Sequence, residues 1–434
     1  MAGVAVVPTI APLDRLASAA RALTRETSLA LVGLGLEALH ILDDAFLQPQ
    51  PGVEPSDHLV SGLVPLAILA TAAWIYGRSR PGARASIALV GGVFGLVLSV
   101  EAMYAAIEGT GAAGDDYSGF LALPAGVLLL GVGATTLWKS RRLHRRWPRR
   151  YLRRIVVAFV AFAVTISLVI PIGAAYLFTH LGRGIVVNSD LGAPARAVTL
   201  ETSDGLTLQG SYVPSRNGAA IIVSPGYNST PEQARMLVRH GYGVLLFDQR
   251  GEGRSDGDPN AFGWSAEKDH NAAVAFLQSR PDVDPGRIGA LGLSVAGETL
   301  LQTAAHNRGI RAVVSEGAGN RSVREVLDMP TNPAYWISLP GHFAVTASTA
   351  LFAGEAPPAN LRHLVADIAP RAVFLISAGH GVDTEVLNRQ FYAAAGEPRT
   401  LWEIPEAGHT EGLKARPAEY ERRVVGFFDR ELLR

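Results

Sequence analysis

The feature that most constrains this chain is a stretch of 25 residues, Ile155 to Thr179, with no charged side chain. At about 1.5 Å per residue, such a helix exceeds the hydrocarbon core of a bilayer, about 30 Å thick. Leu59–Tyr76 and Tyr117–Trp138 are equally free of charge, and Ala85–Ile107 carries only Glu101. Thr27 to about Phe46 is weaker, because Glu37, His40, Asp43 and Asp44 interrupt it. A mean hydropathy of +0.20 over the chain agrees with membrane segments. These runs predict an α-helical five-span transmembrane bundle over 28–180 behind a cytoplasmic tail at 1–27. About 26 residues precede the first weak apolar run and no small-residue cleavage pattern follows it, which argues against a cleaved signal peptide.

The cations set the expected orientation. Arg15, Arg21 and Arg25 precede the first span, and Arg78, Arg80 and Arg84 follow the second. Nine Lys/Arg and no acid lie between Lys139 and Arg154, before the fifth. The alternate loops are acidic, with Glu54 and Asp57 in one and Glu108, Asp115 and Asp116 in the other. An N-terminus in the cytoplasm and an odd number of crossings place everything after Thr179 outside. The basic run at 141–154 then reads as a topology anchor touching anionic lipid headgroups rather than as a nucleic-acid patch. Three lysines against 36 arginines are the signature of a GC-rich genome and point to a bacterial cytoplasmic membrane.

Several ionisable residues fall inside the spans. Glu37, His40 and Asp44 share one helical face, Asp57 and His58 open the second span, and Glu101 lies in the third. Charge within a bilayer is costly, so such groups face the bundle interior and pair. Two readings follow. Glu37, His40, Asp44, His58 and Glu101 form either a self-satisfied polar cluster or a zinc-type or headgroup-binding site. Spacing alone assigns no metal.

Beyond residue 195 the pattern changes. Val198–Glu201 and Leu206–Val213 alternate around Ser203-Asp204-Gly205 as a hairpin would. Ala219–Ser224, Gly243–Phe247, Ile288–Leu293, Ala312–Ser315, Ala372–Ser377 and Thr400–Ile404 are short apolar runs. Helical segments separate them at 231–240, 265–278, 295–306 and 417–433, so a mostly parallel sheet with helices on both faces is expected. Residues 181–194 read as a linker. The interval 320–365, apolar and proline-broken, reads as a cap insertion over a pocket.

Composition excludes several classes. Lys plus Arg and Asp plus Glu are both 39, which rules out a generally basic nucleic-acid binder. The absence of cysteine rules out a disulfide scaffold, thiolate metal sites and a thiol nucleophile.

One motif carries chemistry. Gly292-Leu293-Ser294-Val295-Ala296-Gly297 sits between a predicted buried strand and a predicted helix. It matches the G-x-S-x-G corner that projects a serine above a sheet, with Ala296 in place of the second glycine. Asp248-Gln249-Arg250-Gly251-Glu252-Gly253-Arg254-Ser255 fits a D-x-R-G-x-G-x-S turn after an earlier strand. With these motifs in this order, residues 195–434 resemble an α/β-hydrolase, near the dienelactone-hydrolase and prolyl-oligopeptidase-like branches.

The resemblance implies Ser294 as nucleophile and His409, in Ala407-Gly408-His409-Thr410, as its base. It implies an acid after the preceding strand, for which Asp383 is the first choice, with Glu316 and Glu385 as alternatives. The oxyanion hole would use the N–H groups of Val295 and Tyr227. The expected activity is cleavage of carboxylic esters, lipidic ones included, without a cofactor. The implied partners are a small-molecule or lipid ester and membrane lipids, with no nucleic acid and no obligate protein partner. A peptidase is the alternative enzymatic reading, and a transport or sensor bundle with a regulatory hydrolase domain is the alternative from another class.

Overall fold

The computed structural model describes residues 11–48, 55, 58–100, 102–103, 116–140, 147–180, 191–224, 232–259, 262–329, 333–380 and 383–434. The chain divides into two compact units, the break falling between Phe162 and Ala163.

The first unit is helical. α1 (Ala11–Leu42) runs into a π-helical turn, Asp43–Leu47, and is followed by α2 (Leu59–Tyr76), α3 (Pro81–Leu98), α4 (Asp116–Lys139) and α5 (Trp147–Val164). Among the described residues three helical stretches are long and apolar enough to cross a membrane: Pro81–Leu98, Tyr117–Lys139 and Phe159–His180. The other two expected spans, on α1 and α2, are not among them. α1 carries acidic residues within its apolar stretch, and the apolar part of α2, Ser61–Tyr76, is shorter. α3 and α4 cross on glycine: a Cβ on Gly126 would stand 2.8 Å from the carbonyl oxygen of Gly92.

Glu37, His40, Asp44 and His58 are all buried. His40 Nδ1 lies 3.0 Å from the Ser118 hydroxyl and His58 Nδ1 lies 3.2 Å from that of Ser61. Among the described residues no group of three or more His, Asp or Glu is gathered as metal ligands. Glu101, the remaining member of the expected cluster, lies outside the described residues.

The second unit opens with a π-helical turn, Thr165–Val169, and α6 (Ile170–His180). Eight strands follow: β1 (Arg196–Glu201), β2 (Thr207–Val213), β3 (Ala220–Ser224), β4 (Gly243–Phe247), β5 (Ile288–Leu293), β6 (Ile310–Glu316), β7 (Ala372–His380) and β8 (Arg399–Gly408). They form one sheet in the order β1-β2-β4-β3-β5-β6-β7-β8. The β1–β2 and β2–β4 pairs are antiparallel and the others parallel. Every residue of β3, β4 and β5 is buried, as the uninterrupted apolar runs required.

Side-chain alternation splits these strands between two cores. Ile222, Leu245, Ala290 and Val313 meet α8 (Ala266–Gln278), α9 (Val295–His306) and α11 (Leu387–Ala394) on one face. Ile221, Val244, Leu291 and Val314 meet α7 (Glu232–Arg239) and α12 (Pro417–Leu432) on the other. The insertion is more regular than its prolines suggested. It contains α10 (Pro333–Ala353), with Pro333 in its first turn and Pro340 inside it. α10 packs on α6 and on the turn before it, which is why Phe159–His180 is shared between the two units.

Candidate active site

Ser294 occupies the corner between β5 and α9. Its backbone stands at φ 55°, ψ −130°, a region that L-residues avoid at a cost of about 1–3 kcal/mol. The surrounding bonds hold it there: its N–H donates to the Glu316 carbonyl at 2.8 Å, and its own carbonyl accepts from Gly297 at 2.9 Å. The turn is tight enough that a Cβ on Gly292 would lie 2.5 Å from the Ala296 oxygen. Ala296 itself is buried, so the methyl that departs from the glycine pattern is accommodated.

His409 follows β8 directly. Its Nε2 lies 2.9 Å from Ser294 Oγ and its Nδ1 lies 2.6 Å from Glu385 Oε1. A carboxylate only accepts, so Nδ1 carries the proton and donates to Glu385. The Nε2 lone pair then faces the serine hydroxyl, which donates to it. Glu385 is buried, and its second oxygen accepts from the Ala378 N–H at 2.7 Å. Asn388 fixes the same turn by donating to the carbonyls of Ala318 and Glu385 at 2.7 and 3.0 Å.

This corrects the first choice of acid. Asp383 and Glu385 both lie in the 3₁₀ turn Asp383–Val386 that follows β7. At three residues per turn, positions two apart are about 240° apart around the axis, and it is Glu385 that the structure places against the histidine. Glu316 is not the partner either. Its two oxygens accept from the Gly412 N–H at 2.8 Å and the Tyr420 hydroxyl at 2.7 Å, so it braces the segment that follows His409.

The hydrogen bond to Glu385 raises the His409 pKa. Burial opposes this, and the charges of Glu385, Glu298 and Glu316 add to the rise. Burial raises Glu316, against the bonds from Tyr420 and Gly412. Glu298 was missed from the sequence, although it lies one turn beyond Ser294 on the same side of α9. Burial pushes it up to about 7, and it accepts from the Gly319 N–H at 2.7 Å.

Val295, as first residue of α9, has an N–H that the helix does not use. Tyr227 lies outside the described residues. The glycine-rich turn after β4 binds the sheet together. The Arg250 guanidinium reaches Asp269 at 2.6 Å and Asp204 at 2.9 Å, while Ser255 Oγ donates to the Asp248 carbonyl at 2.7 Å.

Residues 192–330 match the family model described as X-Pro dipeptidyl-peptidase (S15 family). The second unit has the fold of an α/β-hydrolase. The chain is 34% identical over 148 residues to a polyketide transferase, grgF, of a Penicillium species, a match covering 32% of this chain and 48% of that protein. It is 36% identical over 123 residues to a thiohydrolase, aneE, of Aspergillus aculeatus, covering 26% and 38%. The chain thus spans less than half the length of either relative. Among solved structures, the hydrolase unit is similar to GrgF from Penicillium sp. sh18, with TM-score 0.46, 22% identity and coverage of 55% of this chain and 99% of that one. It is also similar to the Pyrococcus furiosus esterase Pf2001, with TM-score 0.47, 21% identity and coverage of 58% and 100%.

Proposed function

We propose that this chain is a membrane-anchored serine hydrolase that cleaves carboxylic esters, lipidic ones included, through an acyl-enzyme. The observation that carries the reading is the continuous array from Ser294 Oγ through His409 to Glu385, at 2.9 and 2.6 Å. Ser294 Oγ attacks the ester carbonyl while His409 Nε2 takes its proton, and Glu385 holds the imidazole tautomer and stabilises the imidazolium. The N–H groups of Val295 and Tyr227 stabilise the oxyanion, each at about 3 kcal/mol. His409 returns its proton to the leaving alcohol, and water then releases the acid by the same steps. The three apolar helices support anchoring, and the stacked cations support a cytoplasmic N-terminus with the hydrolase unit on the outer face. The S15 match over 192–330 supports peptide cleavage as a second reading.

A fluorophosphonate probe tests the chemistry, and an unlabelled wild-type chain at neutral pH would sink it. Labelling is expected in wild type and lost in Ser294→Ala. p-Nitrophenyl esters set against X-Pro amides decide between the two readings; turnover of the amides alone would overturn the esterase.

A further inference from the structure

The cap helix α10 is built the wrong way round for water. Over its 21 residues, Pro333 to Ala353, there is no Asp, Glu, Lys or Arg. Its hydroxyls at Thr346 and Thr349 are buried, at 8% and 1% exposure. Trp336, Ile337 and Phe343 are turned out, at 64%, 80% and 52%. A helix covering a water-soluble domain buries its apolar side and exposes the polar one. Among its described side chains Ser338 is exposed, and His342 and Ser348 are half-buried.

What α10 lies against explains the inversion. It packs on α6 and the preceding turn, the catalytic unit's share of the apolar stretch Phe159–His180. A Cβ on Gly341 would come within 3.4 Å of the Pro171 ring, and Phe352 meets Tyr176 edge to face at 5.7 Å. The neighbouring stretch is also turned out at Ile166, Leu168 and Ile170. Helix backbone is satisfied internally, so a hydrocarbon environment suits this pair.

The same pair reaches the nucleophile. Val323 N–H donates to Thr346 Oγ1 at 3.0 Å, tying α10 to the segment that follows β6. Phe178 of α6 stands edge-on to Phe262 at 5.1 Å, and a Cβ on the next residue, Gly263, would lie 3.0 Å from Val295 Cγ1. Val295 is the residue after Ser294. The apolar surface and the reacting serine are therefore linked through two aromatic side chains and a glycine.

We propose that α10 is immersed among lipid acyl chains beside α6, and that a long-chain ester reaches Ser294 from the bilayer along this helix pair. The inference rests on the reading of the chain as a membrane-anchored ester hydrolase. The occupant is lipid because the exposed face continues that of a helix long and apolar enough to span a membrane.

The chain has no cysteine, so Ile337→Cys accepts a single environment-sensitive fluorophore. In the full chain, reconstituted into phosphatidylcholine vesicles, nitroxide-bearing lipid should quench the label and aqueous iodide should not. A label at Lys414→Cys, an exposed position of the catalytic unit, should show the reverse. Iodide quenching at 337 overturns the proposal, as does protection from both quenchers, which would mean that a second copy covers the face. Ile337→Glu should lower turnover of a vesicle-borne long-chain ester by about tenfold and spare p-nitrophenyl acetate, which arrives from water. Equal turnover of both substrates overturns the route. A wild-type chain inactive on p-nitrophenyl acetate would instead strike the underlying hydrolase reading, and the label experiment stands apart from it.

Discussion

Glu385→Gln exchanges one oxygen for an NH2 group and should nearly abolish turnover. The glutamine oxygen can keep the bond from the Ala378 N–H, which is 2.7 Å from Glu385 Oε2, so the turn after β7 stays folded. Its amide nitrogen then faces His409 Nδ1, now 2.6 Å from an acceptor-only oxygen. A donor there forces Nδ1 to accept, moves the ring proton to Nε2 and leaves Ser294 Oγ nothing to donate to. Loss of the correct tautomer in a serine hydrolase costs about 10³–10⁴-fold in kcat, or about 4–5.5 kcal/mol. KM should change little, because Glu385 touches His409 and not the substrate. The assay is steady-state hydrolysis of a p-nitrophenyl ester, repeated across pH.

The base must be neutral, so wild-type kcat/KM rises with pH as His409 loses its proton. Its midpoint should lie above the ordinary histidine value, because the bond to Glu385 raises that pKa. In Glu385→Gln the residual activity should have its midpoint at lower pH. If Glu385→Gln stays within about tenfold of wild type while Asp383→Asn is inactive, the assignment of the acid is refuted.

Gly317→Ala should lower both stability and kcat, by about 1–2 kcal/mol in unfolding, because the position has φ +75° and its Cβ would fall 3.0 Å from His409 Cε1; unchanged thermal unfolding and turnover would count against it. Arg250→Ala should cost about 3–5 kcal/mol in denaturant unfolding, since the Asp269 side chain, 0% exposed, loses its charge partner. Arg250→Lys should recover only part of this, for want of a planar fork that reaches Asp204 and Asp269 together. Glu298 has a folded-state pKa of about 7 against an ordinary 4.5, so the folded state binds the proton more tightly and stability falls as pH rises through that window. Glu298→Gln should remove the decline and be more stable than wild type above pH 7, by up to about 3 kcal/mol, with little difference near pH 4; parallel stability profiles would refute this.

The sheet was largely legible because β3, β4 and β5 are buried on both faces, and only an unbroken apolar run satisfies that. The corner at Ser294 was legible too, since small residues are obligatory where the Gly292 Cβ would strike Ala296. The choice between Asp383 and Glu385 was not. It depends on the phase of a four-residue turn, which is set by bonds from Ala378 and Asn388 that no local pattern displays. α10 escaped notice because prolines read as breaks, whereas Pro333 falls in a first turn, where no N–H is needed, and Pro340 is tolerated inside the helix. α11 escaped because its apolar contacts, such as Phe391, go to a core assembled from distant segments.

α6 folds with the sheet and not with the helices before it, so under the proposed anchoring the catalytic unit owns its anchor. Severing the chain after His180 would strip Tyr176 from Phe352 and Phe178 from Phe262, and would bare the side of α10 that Pro171 covers. Shedding by a protease would therefore not release an intact enzyme. It would remove a wall of the folded unit, and on the proposed reading the hydrolase remains tied to wherever that one helix is held.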